Sequence, residues 1–305
     1  MSKIYAKVYF MEKCFRDLLV TDINKARVIL TGVPYDKNAS VGKGASLAPQ
    51  VLRELSYHLP AVDMNGHIIS DCKIFDTGDL KCENDDCLTY FQKVQSHLLK
   101  TLKTEKFNLV LGGDHSIAIA SEAAFYDYAV SKNKIPAIIH LDAHPDICDE
   151  YEGSKYSHAC PIKRAIDYGY ETNNIVLIGI RGFEEQEVKY FAEHQEIKVF
   201  TSSNIHTNGV QQVINYLKDK FDDRYMVYLS YDIDCNDPCF APGTGTPEAF
   251  GVNSEDVLSI IRFVIASLNV KMMDLVEIAP PLDINDITSW LGLKTLYEVF
   301  YELIK

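Results

Sequence analysis

Short apolar runs alternate along the chain with longer segments in which apolar residues recur every three or four positions. The short runs read as β-strands: residues 27–33 (RVILTGV), 73–76, 107–111, 137–141, 175–180, 197–200, 226–231 and 271–278. Almost unbroken apolar character over four to eight residues suits a strand covered on both faces. The longer segments read as helices: 48–57 with Pro49 in its first turn, 88–103, an alanine-rich 116–130, a charged 184–194, 210–221, 254–268 and 287–304. The strand at 73–76 is expected to break at Gly78. Strands alternating with helices form βαβ units, and these build a mostly parallel sheet covered on both faces. No linker, charge block or fixed-period repeat interrupts the series. The chain therefore reads as one α/β domain spanning residues 1–305.

In such sheets ligands sit beyond the carboxyl ends of the strands. Three of those ends carry chemistry. Residues 107–111 lead into Gly112-Gly113-Asp114-His115-Ser116, residues 137–141 into Asp142-Ala143-His144-Pro145-Asp146, and residues 226–231 into Asp232-Ile233-Asp234. In extended backbone, residues i and i+2 point the same way. Asp142, His144 and Asp146 can converge, and so can Asp232 and Asp234. Each piece also has an ordinary reading. An Asp-x-Asp after a strand serves as a turn or a helix cap, and His115 could cap a helix or be a satisfied core histidine. The Gly112-Gly113 pair lacks the Lys-Ser/Thr of a phosphate loop. Together, however, four carboxylates gathered at one sheet edge would repel one another unless cations neutralise them. Two imidazoles with four carboxylates form an oxygen-rich set suited to Mn²⁺. Carboxylates shared by two ions roughly 3.5–4 Å apart would make a binuclear hydrolytic site.

Composition narrows the partners. The chain has 305 residues, 47% hydrophobic and 24% charged, so it can bury a large core and is not of disordered composition. Its formal net charge of −13 repels phosphate backbones and anionic lipid, and a cationic small molecule is the better partner. No apolar stretch approaches the roughly 20 residues of a membrane span; even 257–268 is broken by Arg262. Residues 1–17 are too evenly charged for an export signal, so the expected location is cytoplasmic and the eight cysteines are expected to be reduced thiols. By the same argument the sequon Asn38-Ala39-Ser40 carries no glycan.

These motifs resemble the ureohydrolase family, the arginases, agmatinases and relatives that hydrolyse guanidino compounds to urea. The similarity rests on GGDHS (112–116), DAHPD (142–146) and SYDIDCNDPCFAPGTGTPEAFG (230–251), with weaker matches at 32–36, 44–53 and 76–79. It runs in order over nearly the whole chain. The resemblance implies a three-layer α/β/α fold around an eight-stranded parallel sheet, two manganese ions, and assembly as a trimer or hexamer. It implies that one ion is held by His115, Asp142, Asp146 and Asp232, and the other by Asp142, His144, Asp232 and Asp234. Asp142 and Asp232 would bridge. His158 matches the family's proton-shuttling histidine, and Glu277 matches the glutamate that pairs with the substrate guanidinium.

Some positions depart from the family pattern. Pro145 stands where Thr is usual, Ala249-Phe250 replace a Pro-Gly, and Lys43 is the nearest base where an Arg is usual. His140, one strand step before Asp142, reads as either a support to the ligands or a buried side chain. Between the metal motif and His158 lie Asp149, Glu150 and Glu152, with Lys155 the only base. These acids would repel a substrate carboxylate and suit a second positive charge. The implied reaction is hydrolysis of agmatine to putrescine and urea. The alternatives are a guanidino-acid hydrolase, an arginase, a formiminoglutamase, or a non-catalytic metal-binding homologue. Intact His158 and Glu277 argue against the last.

Overall fold

Eight strands form one sheet in which every neighbouring pair is parallel. In this computed structural model, which describes residues 14–83 and 85–305, they are β1 (Val28–Gly32), β2 (Ile74–Asp79), β3 (Phe107–Leu111), β4 (Ile135–Leu141), β5 (Ile175–Ile180), β6 (Lys198–Thr201), β7 (Tyr225–Asp232) and β8 (Val270–Val276). Most of the segment read as too charged for an export signal, residues 1–13, lies outside the described residues. The spatial order is β2-β1-β3-β8-β7-β4-β5-β6. Among the described residues the helices are α1 (Ala48–Ser56), α2 (Cys87–Leu102), α3 (Ala118–Ser131), α4 (Pro161–Tyr168), α5 (Glu185–Glu193), α6 (Ser202–Asn208), α7 (Gln211–Lys220), α8 (Ser254–Ser267) and α9 (Ile287–Glu302). None is long and apolar enough to cross a membrane.

Alternating side chains divide the core into two layers. On β3, Leu109 and Leu111 pack into the layer that holds Leu52 of α1, Val257 of α8 and Leu296 of α9. Val110 between them packs into the opposite layer, with Leu98 of α2 and Phe125 of α3. The result is the three-layer α/β/α arrangement, and burial on both faces explains the unbroken apolar runs.

One expectation needs correction, and two helices were not anticipated. β2 does not end at Gly78 but continues to Asp79 across an irregularity in its pairing with β1, where Gly78 adopts a φ of +79° and Arg53 of α1 bridges the residues on either side. Its Nε lies 2.7 Å from Asp76 and its Nη1 2.6 Å from Asp79. The helix expected over 210–221 is α7, and α6, which precedes it, was not anticipated. The sequence of α6, SSNIHTN, has no apolar period; a Thr201/Asn204 capping box starts it and Gly209 ends it. α4 was not anticipated, although Pro161 begins it and Gly169, with φ +135°, ends it.

The central strands carry an unusual polar row. His140 of β4, Ser230 of β7 and Asp274 of β8 are cross-strand partners, and all three are fully buried. A row of buried polar groups in the middle of a sheet requires partners. They lie directly below the strand ends that bear the motifs.

Candidate active site

The four strands β3, β8, β7 and β4 are neighbours, so the loops after them form one continuous edge. Gly113 lets the first loop close in. A Cβ there would lie 1.8 Å from the Tyr35 carbonyl oxygen, which instead accepts the Asp114 N–H at 2.7 Å. Asp114 then caps the short turn His115–Ile117 through the Ser116 N–H at 3.1 Å. Asp114 is fully buried, and burial with the nearby Glu277 pushes it up to about 7.

That turn directs His115 inward. Its Nε2 lies 2.8 Å from the Ser230 hydroxyl, which donates to Asp274 at 2.9 Å. A hydroxyl that spends its proton on Asp274 must accept from Nε2–H, so Nδ1 carries the lone pair. Nδ1 faces three carboxylate oxygens: Asp142 at 2.8 Å, Asp146 at 3.1 Å and Asp232 at 3.1 Å. Among the described residues, Nδ1 and Asp142 Oδ2 have no hydrogen-bond partner. Lone pairs aimed at one another in a buried space fit a cation between them. Electrostatics agrees. Burial, Asp234 and Asp142 hold the Asp232 carboxyl well above its ordinary range, and burial with Asp142 raises Asp146. A divalent ion reverses both effects.

Two groups of donor atoms could hold metal: His115, His140, Asp142 and Asp146, and separately Asp142, His144 and Asp234. Asp142 belongs to both. Its Oδ2 is 3.0 Å from His140 Nε2, while Oδ1 is 3.5 Å from His144 Nδ1, which is 3.3 Å from Asp234. Asp232 meets the first group through His115, and its Oδ1 accepts the Asp234 N–H at 2.9 Å. His140 thus stands against the cluster, stacked on His115 with ring centroids 4.9 Å apart. Asp146 has φ +53° and Glu277 φ +61°. Such conformations are unfavourable for residues with a Cβ, and they gather at functional sites.

Glu277 follows β8 and is buried; its Oε1 accepts the His115 N–H at 2.7 Å and lies 3.5 Å from His158 Nδ1. Burial opposes charge on His158, but the Glu277 contact outweighs it and the imidazole is raised to about 9.

A cavity of about 440 Å³ opens above these groups. Among the described residues lining it are six carboxylates, Asp146, Glu152, Glu184, Glu187, Asp232 and Glu248, and no lysine or arginine. The expected acidic loop contributes only in part. Glu152 lines the cavity, and Tyr151 with it. Asp149 does not, because Arg164 of α4 binds it at 2.7 Å. Nor does Glu150, whose carbonyl accepts from Gln186. Glu184, Glu187 and Glu248 were not anticipated. Glu187 closes the loop by accepting the Ile147 N–H at 3.0 Å and the Glu184 N–H at 2.9 Å. Glu184 and Glu187 belong to the charged segment read as a helix over 184–194, and Glu248 to the 230–251 motif.

The departures sit harmlessly. Pro145 is buried between His144 and Asp146, and both side chains still reach the cluster. Phe250 is 83% exposed with φ +62°, the backbone that favours the glycine usual there. Ala249, Phe250 and Lys43 do not line the cavity.

Known proteins share this architecture. The arginase family model matches residues 26–301. An agmatinase of Neisseria meningitidis serogroup C is 34% identical over 278 residues, covering 90% of this chain and 86% of that protein. A proclavaminate amidinohydrolase of Streptomyces clavuligerus is 33% identical over 280 residues, covering 90% of this chain and 87% of that protein. Among solved structures, the agmatine ureohydrolase of Thermoplasma volcanium matches with a TM-score of 0.85 and 29% identity, over 96% of this chain and 94% of that one. On fold, sequence and the extent of both matches, the chain belongs to the arginase family of ureohydrolases, and is a hydrolase.

Proposed function

We propose that the protein is a binuclear manganese hydrolase that converts agmatine to putrescine and urea. The observation that carries the substrate is the cavity lining, which among the described residues holds, beyond the metal-facing Asp146 and Asp232, Glu152, Glu184, Glu187 and Glu248 and no lysine or arginine. A substrate with a guanidinium at one end and an ammonium at the other matches such a lining; one bearing a carboxylate meets like charge.

His115, Asp142, Asp146 and Asp232 would hold one ion, and Asp142, His144, Asp232 and Asp234 the other. The donor set is oxygen-rich, and the lone pairs of His115 Nδ1 and Asp142 Oδ2 converge without a partner, which supports hard divalent ions. When bound, the ions supply Lewis acidity and activate water at neutral pH. The chain's own groups do the rest. Glu277, buried and pinned by the His115 N–H, pairs with the guanidinium. His158 on the same carboxylate protonates the departing amine, which leaves far more readily neutral than as an anion. Glu152, with Glu184 and Glu248 at the cavity wall, faces the distal ammonium. The family resemblance also carries the expectation of a homo-oligomer, read by light scattering on the purified protein.

The test is urea release from agmatine by chelated and manganese-reloaded protein. Activity is expected only in the reloaded sample. Full turnover after exhaustive metal removal would contradict the proposal.

A further inference from the structure

His158 is held at its two ring nitrogens by two different elements. Nδ1 lies 3.5 Å from Glu277, the carboxylate assigned above to the guanidinium. On the opposite side the Ser40 hydroxyl is 3.0 Å from Nε2, and the Ser40 backbone N–H donates to the same atom at 3.4 Å. A backbone N–H cannot be turned into an acceptor. In the resting neutral ring, Nε2 therefore keeps its lone pair and the proton sits on Nδ1, facing the substrate side.

The Ser40 segment is itself anchored. The Asn38 N–H donates to Asp114 at 2.9 Å, its side-chain amide donates to the Tyr156 carbonyl at 2.7 Å, and its carbonyl accepts the His158 N–H at 3.4 Å. The loop after β1 and the loop that carries His158 are thus stitched together beside His115. Ser40 lines the cavity, so its hydroxyl also meets solvent.

We propose that Ser40 is the positioning residue of His158: it fixes the Nδ1–H tautomer and passes solvent protons to Nε2. The inference rests on the reading of His158 as the proton donor in guanidine hydrolysis. In that step the C–N bond to the departing amine breaks and its electron pair goes to nitrogen. The Nδ1 proton moves to that nitrogen, the Ser40 hydroxyl proton moves to Nε2, and Ser40 Oγ takes a proton from a solvent acid. The ring stays neutral with its proton now on Nε2; Nδ1 then takes a proton from solvent as Nε2 returns one through Ser40, so in net one solvent proton ends on the amine and nothing is oxidised or reduced. The charged groups facing His158 are Glu277, Asp146 and Asp114, with the Tyr151 ring edge-on at 6.2 Å. A guanidinium on Glu277 removes the charge that raises the imidazole in the free site, so the neutral ring is the form that matters during turnover.

The experiment uses the manganese-loaded full-length protein and whichever guanidine the wild type hydrolyses fastest, so a substrate other than agmatine leaves the comparison readable. Ser40→Ala should lower kcat about tenfold or more, with KM within twofold and metal content unchanged. Ser40→Thr, which keeps the hydroxyl, should restore most of it. Imidazole buffers should raise kcat of Ser40→Ala but not of the wild type, because a diffusible acid replaces the relay. Should Ser40→Ala fold poorly, Ser40→Cys, close in size and a weak donor, should show the same kcat loss and buffer response. Wild-type kcat in the alanine or cysteine variant, or a loss confined to KM or metal content with no response to buffer, would overturn the proposal. A wild type that hydrolyses no guanidine would overturn the functional reading as well, and is recognised before any variant is compared.

Discussion

Asp142 is the side chain on which the two donor groups meet, since one oxygen faces His115 and His140 and the other faces His144. Asp142→Asn should therefore lose most of both ions, whereas Asp234→Asn, which belongs to one group, should retain about one. Metal analysis after gel filtration reads the difference. His158→Asn should cut kcat by about 10²-fold or more, the usual share of a positioned acid, with metal content and KM little changed. His158 also predicts a pH effect in metal-free protein. Its folded value of about 9 lies above the unfolded value of about 6.5, so the folded state binds more protons between the two. That stability is fully present below pH 6.5 and is lost as pH rises towards 9. Melting temperatures of chelated protein should fall across this window, and His158→Gln should flatten the fall. The two histidines and four aspartates were legible in the sequence because i, i+2 spacing at a strand end is local information. The participation of Ser230 and Asp274 was not, because their contacts run across strands, and His140 was left between a support to the ligands and a buried side chain. Asp149 was misread for a similar reason: the arginine that takes it comes from α4, a helix the apolar pattern did not announce.

At the scale of elements, the alternation of strands and helices was readable and the lateral order was not. β3 and β5 match their expected bounds, since a strand buried on both faces is one apolar run. Nothing local says that β7 and β8 return to the middle between β3 and β4, yet that return brings His115, Asp142, Asp232 and Glu277 to adjacent strand ends. The approach of the loops depends on Gly113, where any Cβ meets the Tyr35 backbone. Gly113→Ala must push the β1 loop, and with it Asn38 and Ser40, away from His115. A loss of about 3 kcal/mol or more is expected for such a backbone clash, together with loss of activity. Urea denaturation of the variant checks it; an unchanged midpoint with full activity would contradict the close packing.

For the whole molecule, the net charge of −13 pointed to a cationic partner, and four glutamates, Glu152, Glu184, Glu187 and Glu248, line the cavity. Which acids face the cavity was only partly legible, because Glu184 and Glu248 enter from loops far apart in sequence from Glu152. Replacing Glu152 and Glu184 together by Gln should narrow the preference for agmatine over arginine, since like-charge contact with a carboxylate costs several kcal/mol. The most direct measurement is kcat/KM for urea release from agmatine, arginine and 4-guanidinobutyrate by the manganese-loaded enzyme under one set of conditions. Agmatine should exceed either carboxylate-bearing guanidine by at least about tenfold, the equivalent of about 1.4 kcal/mol. Equal or better use of arginine or 4-guanidinobutyrate would contradict the assignment of the substrate.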